Sequence, residues 1–253
     1  MRVRQKGEVV AKQPYLSVVI PAYNEARRIG ATLKKVTEYL EGQEYTSEIL
    51  VVDDGSQDQT VAVVAAFGVA HSTVRVIRNE VNRGKGAVVQ QGMLEARGQY
   101  RLFMDADSST GIGELEKLLT WVKEADVVFG SRYLTPGSVK IPQPLKRRIL
   151  SRSSNWLIQR LALSGVRDTQ CGFKLFTVDA AEAIFPLLTQ GGWLFDVELL
   201  VIARDLGFRI REVAVDWTDA AESKLRASRA AKKSLQELWR IRRQRAKGMY
   251  RRS

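Results

Sequence analysis

Leu102-Phe103-Met104-Asp105-Ala106-Asp107-Ser108-Ser109 is an apolar run that ends on two carboxylates one residue apart, with Gly111 and Gly113 just beyond. A short apolar run bounded by such a break reads as a buried strand of an α/β sheet. In open α/β folds ligands bind at the carboxyl ends of the strands. Two acids there, with no Lys or Arg beside them in sequence, repel each other and lose hydration. A divalent cation relieves both costs, and hard carboxylate oxygens suit Mg²⁺ or Mn²⁺. The other reading is an Asp that caps a helix beside a solvated one. On this stretch alone both stand, because Asp-x-Asp is a short motif.

Toward the N-terminus the same pattern recurs. Leu16-Ser17-Val18-Val19-Ile20, stopped by Pro21, reads as a first strand, Ile49–Val52 as a second and Val74–Ile77 as a third. Between them, Ala26–Leu40 carries Ile29, Leu33, Val36 and Leu40 at a helical period. Asp58 and Thr60 offer caps for a helix over Val61–Phe67, and Asn82-Arg83-Gly84-Lys85-Gly86 leads into a helix over Ala87–Ala96. Three strand-loop-helix units imply right-handed crossovers and a parallel sheet. The loops after three of the strands carry Glu25, Asp53 and the Asp105/Asp107 pair, so the acids converge on one edge. That convergence favours the metal-and-ligand reading over scattered capping. Asp126–Gly130 and Phe208–Val215 read as further strands.

Composition narrows the chemistry. A length of 253 residues, 45% hydrophobic and 27% charged, suits one large α/β domain or one with a helical appendage. Cys171 is the sole cysteine and His71 the sole histidine. An intrachain disulfide is excluded, and Ser-His-Asp chemistry and His-rich zinc sites are disfavoured. Met1–Gln13 lacks the apolar core of a signal peptide, and no apolar run approaches the roughly twenty residues that span a bilayer. The expectation is a cytoplasmic chain that does not cross a membrane by itself. A dehydrogenase would need G-x-G-x-x-G after the first strand, where Pro21-Ala22-Tyr23-Asn24-Glu25 stands instead, and a P-loop is likewise absent. Gly84-Lys85-Gly86 reads as a tight turn before a helix, or as backbone N–H groups and Lys85 near a phosphate.

The net charge of +12 is uneven: Lys224–Ser253 holds 12 Lys or Arg against the single acid Glu237, a net +11, and the body is close to neutral.

Taken together, seven stretches form a recognisable set. They are Val18–Glu25, Val51–Thr60, Asn82–Gly86, Asp105-Ala106-Asp107, Gly130-Ser131-Arg132-Tyr133, Asp168–Phe176 and Trp193–Leu200. In this order they resemble family 2 glycosyltransferases of GT-A fold, and within them the polyprenyl-phosphate glycosyltransferases that include dolichyl-phosphate glucosyl- and mannosyltransferases. The resemblance implies a Rossmann-like, mixed but mostly parallel sheet flanked by helices over residues 15–225, between an arm (1–14) and a basic tail (226–253). It implies that Asp53 binds the nucleotide base, that Pro21, Tyr23 and Glu25 line that pocket, and that Asp54, Lys85, Ala106 and Lys224 belong to the same donor site. Asp105 and Asp107 would hold Mg²⁺ or Mn²⁺ on the diphosphate, with Asp107 catalytic. Ser109, where mannose synthases often carry Gln, would ligate only through its hydroxyl or a water.

The implied reaction is inverting transfer of a hexose, glucose from UDP-glucose foremost, to a polyprenyl or dolichyl phosphate. Mannose from GDP-mannose and a saccharide hydroxyl acceptor are the alternatives, and a non-catalytic nucleotide-sugar or nucleic-acid binder is the rival from another class. A lipid phosphate is already largely ionised near neutral pH, with a second pKa of about 6, so cations that align it matter more than a base. Arg132, Arg147, Arg148 and Lys174 are the candidates, Arg132 first because its planar fork suits phosphate. Asp196 and Glu198 read equally as base, as sugar-hydroxyl contacts, or as acids favoured at a helix N-terminus. In the tail, Leu235, Leu238 and Trp239 recur at helical spacing among basic residues. This reads as an amphipathic helix on an anionic membrane surface, in preference to nucleic acid.

Overall fold

All three N-terminal strand-loop-helix units form. The computed structural model describes residues 13–135, 158–189, 191–192, 194–218 and 227–251. In order the elements are β1 (Leu16–Ala22), α1 (Ile29–Glu41), β2 (Ser47–Asp53), α2 (Thr60–Ala70), β3 (Val74–Arg78), α3 (Lys85–Glu95) and β4 (Tyr100–Met104). A 3₁₀ turn (Ile112–Glu114) then runs into α4 (Leu115–Leu119), followed by β5 (Val127–Ser131), β6 (Phe173–Thr177), α5 (Val178–Ile184), α6 (Phe195–Asp205), β7 (Ile210–Ala214) and α7 (Ala227–Ala246).

The strands form one seven-stranded sheet in the order β3-β2-β1-β4-β6-β5-β7. Every pairing is parallel except those of β6, which runs antiparallel to both β4 and β5. The expected mixed, mostly parallel sheet is therefore present. Strand β6, inside the Asp168–Phe176 motif, is an element that hydropathy did not announce, because Lys174 interrupts its apolar run.

Strand β1 outlasts its proline. Ala22 O accepts from Asp54 N–H (2.8 Å), so Ala22 faces β2 and Pro21 faces the other way, toward β4. Pairing with β4 has already ended at Val19↔Phe103, so the N–H that Pro21 lacks is not needed there.

Alternation along the strands sorts the core into two layers. Val19, Leu50, Val52, Phe103, Val127, Phe129 and Phe176 face α3, α5 and α6. Val18, Ile20, Ile49, Val51, Leu102, Met104, Phe173 and Leu175 face α1, α2 and α4. The apolar stripe expected of the basic tail is divided. Leu238 is 3% and Ile241 0% exposed, packed in the α3/α5/α6 layer, and Trp239 is 64% exposed.

Candidate active site

The site is built where β1, β2 and β4 end, at the point where strand order reverses across β1. The loops after β1 and β2 are fastened to each other. Ser56 Oγ accepts from Asn24 N–H (2.9 Å), Thr60 Oγ1 from Glu25 N–H (2.8 Å), and Asp58 Oδ2 from Ala26 N–H (3.2 Å). Asp58 also accepts from Thr60 N–H (2.9 Å), and the Thr60 hydroxyl serves the neighbouring loop, but neither is the N-cap: α2 starts at Thr60 behind Gln59, whose side chain makes no capping bond. Fastening spends residues 26–28 on a turn, so α1 starts at Ile29 rather than at Ala26. Glu25 closes on Arg28 through a bidentate ion pair. Tyr23 stays 41% exposed beside this loop, over the end of β1 that carries Pro21.

Asp53 ends β2 fully buried. Its Oδ2 accepts from Gly55 and Ser56 N–H (3.1 and 3.0 Å), and Oδ1 has no donor among the described residues. Asp54 behaves differently. Its two oxygens accept from Arg83 N–H (2.6 Å) and Gly84 N–H (3.0 Å), and burial raises its pKa against those bonds. Asp54 thus holds the loop that starts α3. Gly84 sits there at φ 91°, and a Cβ would lie 2.4 Å from Gly191 O, so both backbone shape and space require glycine.

That loop delivers Lys85 to the acids of β4. Lys85 Nζ lies 2.5 Å from Asp105 Oδ1. Burial pulls Lys85 down, but Asp105, Asp196 and Asp107 outweigh it and hold its pKa above the ordinary value. The Asp105 amide is pinned to Gly172 O (3.1 Å), Ala106 O accepts from the Thr32 hydroxyl (2.7 Å), and Asp107 Oδ1 accepts from Ser109 N–H (2.9 Å). Ser108 takes the left-handed conformation at φ 52°, turning the chain sharply after Asp107. Ser109 contributes its carbonyl to Thr218 N–H (2.8 Å).

The acceptor-side expectations need correction. Lys174 is fully buried, its ammonium 2.5 Å from Asp196 Oδ1 and 2.6 Å from Cys171 O, so it cannot meet an acceptor phosphate. It sits on the α3/α5/α6 side of β6, 5.3 Å above the Phe103 ring, and neutralises Asp196 from below. Burial raises the pKa of Asp196, and Lys174 and Lys85 partly offset it. Glu198, fully buried, accepts from Thr189 N–H (3.0 Å), the Thr189 hydroxyl (2.7 Å) and Tyr250 O–H (2.7 Å). It ties the chain end to α6 and is not poised as a base. Arg132 spends its fork on Asp168 (2.7 and 2.9 Å), with its ring-side faces toward Tyr133 and Trp217. Arg147, Arg148 and Lys224 lie outside the described residues.

Two positioning residues were missed, Asp168 and Glu237. Glu237, 7% exposed on α7, accepts from Leu194 N–H (3.1 Å) at the start of α6, and Gly192 leaves no room for a Cβ beside its Oε1 (2.1 Å). Next to it, Gly191 O accepts from Gly86 N–H (3.1 Å) at the start of α3. Glu237 of α7 therefore braces the start of α6, which carries Asp196, and the Gly191 carbonyl braces the start of α3, which carries Lys85. A signal existed: Glu237 is the one acid in the basic tail.

Among the described residues no cluster of three or more His, Cys, Asp or Glu is placed to enclose an ion. Two carboxylates at one strand end suit a different mode, in which Mg²⁺ or Mn²⁺ takes one or two protein oxygens and completes its shell with substrate phosphates and water. Asp105 and Asp107 fit an ion of that kind.

The model of the Glycosyl transferase family 2 matches residues 17–185. A dolichyl-phosphate beta-glucosyltransferase of Trichomonas vaginalis is 40% identical over 225 residues, covering 85% of this chain and 67% of that protein. The enzyme of the same name from Saccharomyces cerevisiae is 35% identical, covering 94% and 77%. The glucosyl-3-phosphoglycerate synthase of Mycobacterium tuberculosis, solved with Mn²⁺, UDP and phosphoglyceric acid, superposes with a TM-score of 0.68 at 20% identity, over 90% of this chain and 78% of that one. The sheet is that of the GT-A glycosyltransferases. With the family match spanning β1 to α5 and the paired acids standing at the end of β4, the chain belongs to glycosyltransferase family 2.

Proposed function

We propose that this glycosyltransferase moves glucose from UDP-glucose to a polyprenyl or dolichyl phosphate with inversion, aided by Mg²⁺ or Mn²⁺ at Asp105 and Asp107. The names of the relatives support the sugar and the acceptor class. One observation carries the reading beyond them: both acids that would serve a hydroxyl acceptor as base are engaged. Asp196 is held by Lys174, and Glu198 by Thr189 and Tyr250. An acceptor that brings its own ionised oxygen, as a phosphate does near neutral pH with a second pKa of about 6, needs neither.

On the donor side, the buried Oδ1 of Asp53 offers an acceptor to an N–H of the base, and Pro21, Tyr23 and Glu25, at and after the paired end of β1, are proposed to line the same pocket. Lys85 adds positive charge beside Asp105 where the diphosphate departs, and Asp107 holds the cation. A bound divalent ion stabilises the negative charge gathering on that leaving group. Asp54 through its carboxylate and Ala106 through its backbone carbonyl fix the loops that present Lys85 and Asp105. Arg147 and Arg148 are proposed for the acceptor phosphate and Lys224 for the diphosphate. Among the described residues no helix is long and apolar enough to cross a membrane. The outer, basic side of α7, with Trp239 exposed, is proposed to hold the enzyme to an anionic surface at about 1 kcal/mol per cation.

The test is incubation with a panel of labelled sugar nucleotides and polyprenyl phosphate, with and without EDTA, scored by label in the organic phase. Label from UDP-glucose that EDTA abolishes is expected. Label from GDP-mannose alone would overturn the donor, and label indifferent to EDTA would overturn the metal.

A further inference from the structure

A cleft of about 630 Å³ opens between the carboxyl ends of α6 and α7, walled by Arg204, Arg242, Arg245, Arg251 and Asp205. It lies nine residues along α6 from Asp196, about 13 Å at 1.5 Å per residue, and so at the far end of that helix from the donor site.

Four guanidinium groups face one carboxylate there. Arg245 takes that carboxylate, Asp205, at 2.7 Å and donates a second bond to Ala162 O (3.3 Å). Arg204 is anchored to Ser164 O at 3.0 Å. These two are fixed in place by the protein itself. Arg242 and Arg251 have no ion pair among the described residues. Basic residues at a helix carboxyl end answer its dipole, but that effect is worth under about 1 kcal/mol and does not call for four converging charges. Burial and the nearby Arg245 pull Arg204 below its ordinary pKa against the smaller opposing pull of Asp205, so the like charges here are only partly relieved.

Guanidinium forks are matched in shape and charge to phosphate oxygens, which accept two parallel N–H bonds from each. We propose that this cleft is a binding site for a phosphate monoester, separate from the donor site, with Arg242 and Arg251 as the ligand-facing pair and Arg204 and Arg245 as the preset wall. The group comes either from a lipid headgroup or from a soluble phosphate.

The full-length chain is tested in EDTA against two probes: vesicles of phosphatidylcholine carrying about one fifth phosphatidic acid, by co-sedimentation, and inorganic phosphate, by calorimetry. Two double variants remove equal charge from the C-terminal segment: Arg242→Ser with Arg251→Ser inside the cleft, and Arg240→Ser with Arg243→Ser outside it. The expected result is saturable binding, with inorganic phosphate weakened about tenfold or more by the cleft pair and under about threefold by the outside pair. On vesicles, where the outer side of α7 also contributes, only the cleft pair should abolish the preference for phosphatidic acid over an equal share of phosphatidylglycerol. Binding to vesicles alone assigns a lipid headgroup, and binding of both probes assigns the phosphate itself. No binding of either probe, or equal loss of phosphate binding and of the phosphatidic acid preference in the two variants, overturns the site.

Discussion

Asp168 is 2% exposed, and Arg132 grips both of its oxygens. Burial pushes its carboxyl up, but the Arg132 charge and hydrogen bonds prevail and hold it below the usual carboxylate range. The folded chain therefore binds this proton less readily than the unfolded chain. The stabilisation is complete above the unfolded value near 4 and is lost as pH falls toward the folded one. Asp168→Asn should cost about 3 kcal/mol at pH 7, because it leaves Arg132 unpaired. In urea titrations from pH 7 to pH 2, it should also flatten the acid limb of stability. Asp107 is of another kind. Its bond to Ser109 N–H is local, so Asp107→Ala should leave Tm within about 2 °C of the parent. Divalent-dependent transfer should fall by at least about a hundredfold, and unchanged transfer would refute the metal assignment. Both residues stand in motifs the sequence displays, yet only Asp107 declared its role there. Asp168 reaches Arg132 across 36 residues, a distance no local pattern encodes.

At the scale of elements, α7 is the one whose meaning changed. Its charge and spacing suggest an amphipathic helix turned to a membrane surface, but Ile241 is fully buried in the domain and Tyr250 O–H reaches Glu198 (2.7 Å). Ile241→Ala should cost about 2–4 kcal/mol, where a tail lying free of the domain would lose almost nothing; chemical unfolding decides. Glu237→Ala removes the acceptor for Leu194 N–H and loosens the helix start that carries Asp196. Its kcat should drop about tenfold or more with KM for the sugar nucleotide changed less. Glu237→Gln, which keeps an acceptor oxygen, should recover most of that rate. Equal rates in the two variants would show that charge, and not position, is what Glu237 supplies. The amphipathic spacing of α7 was legible, but its partner was not, since the same stripe serves a membrane or a protein core.

For the molecule as a whole, donor nucleotide and cation should bind as one unit, because Asp53, Lys85 and the Asp105/Asp107 pair sit on loops of a single sheet edge. UDP with Mn²⁺ near a hundredfold excess over Kd should raise Tm by about 5–10 °C, from about 2.7 kcal/mol of linkage. UDP in EDTA should give a small part of that rise. Additive shifts from UDP and Mn²⁺ measured separately would argue against a shared site.

Strand-end acids and apolar periodicity are local properties, written in neighbouring residues. For that reason the sequence alone determined the parallel units β1 to β4, the edge on which Asp53, Asp105 and Asp107 gather, and the family resemblance. Only the tertiary structure decided the placement of β6 and the partners of Lys174, Glu198, Arg132 and Glu237. A buried charge takes whichever opposite charge or polar group the fold brings within about 3 Å of it, and that neighbour comes from a different part of the chain.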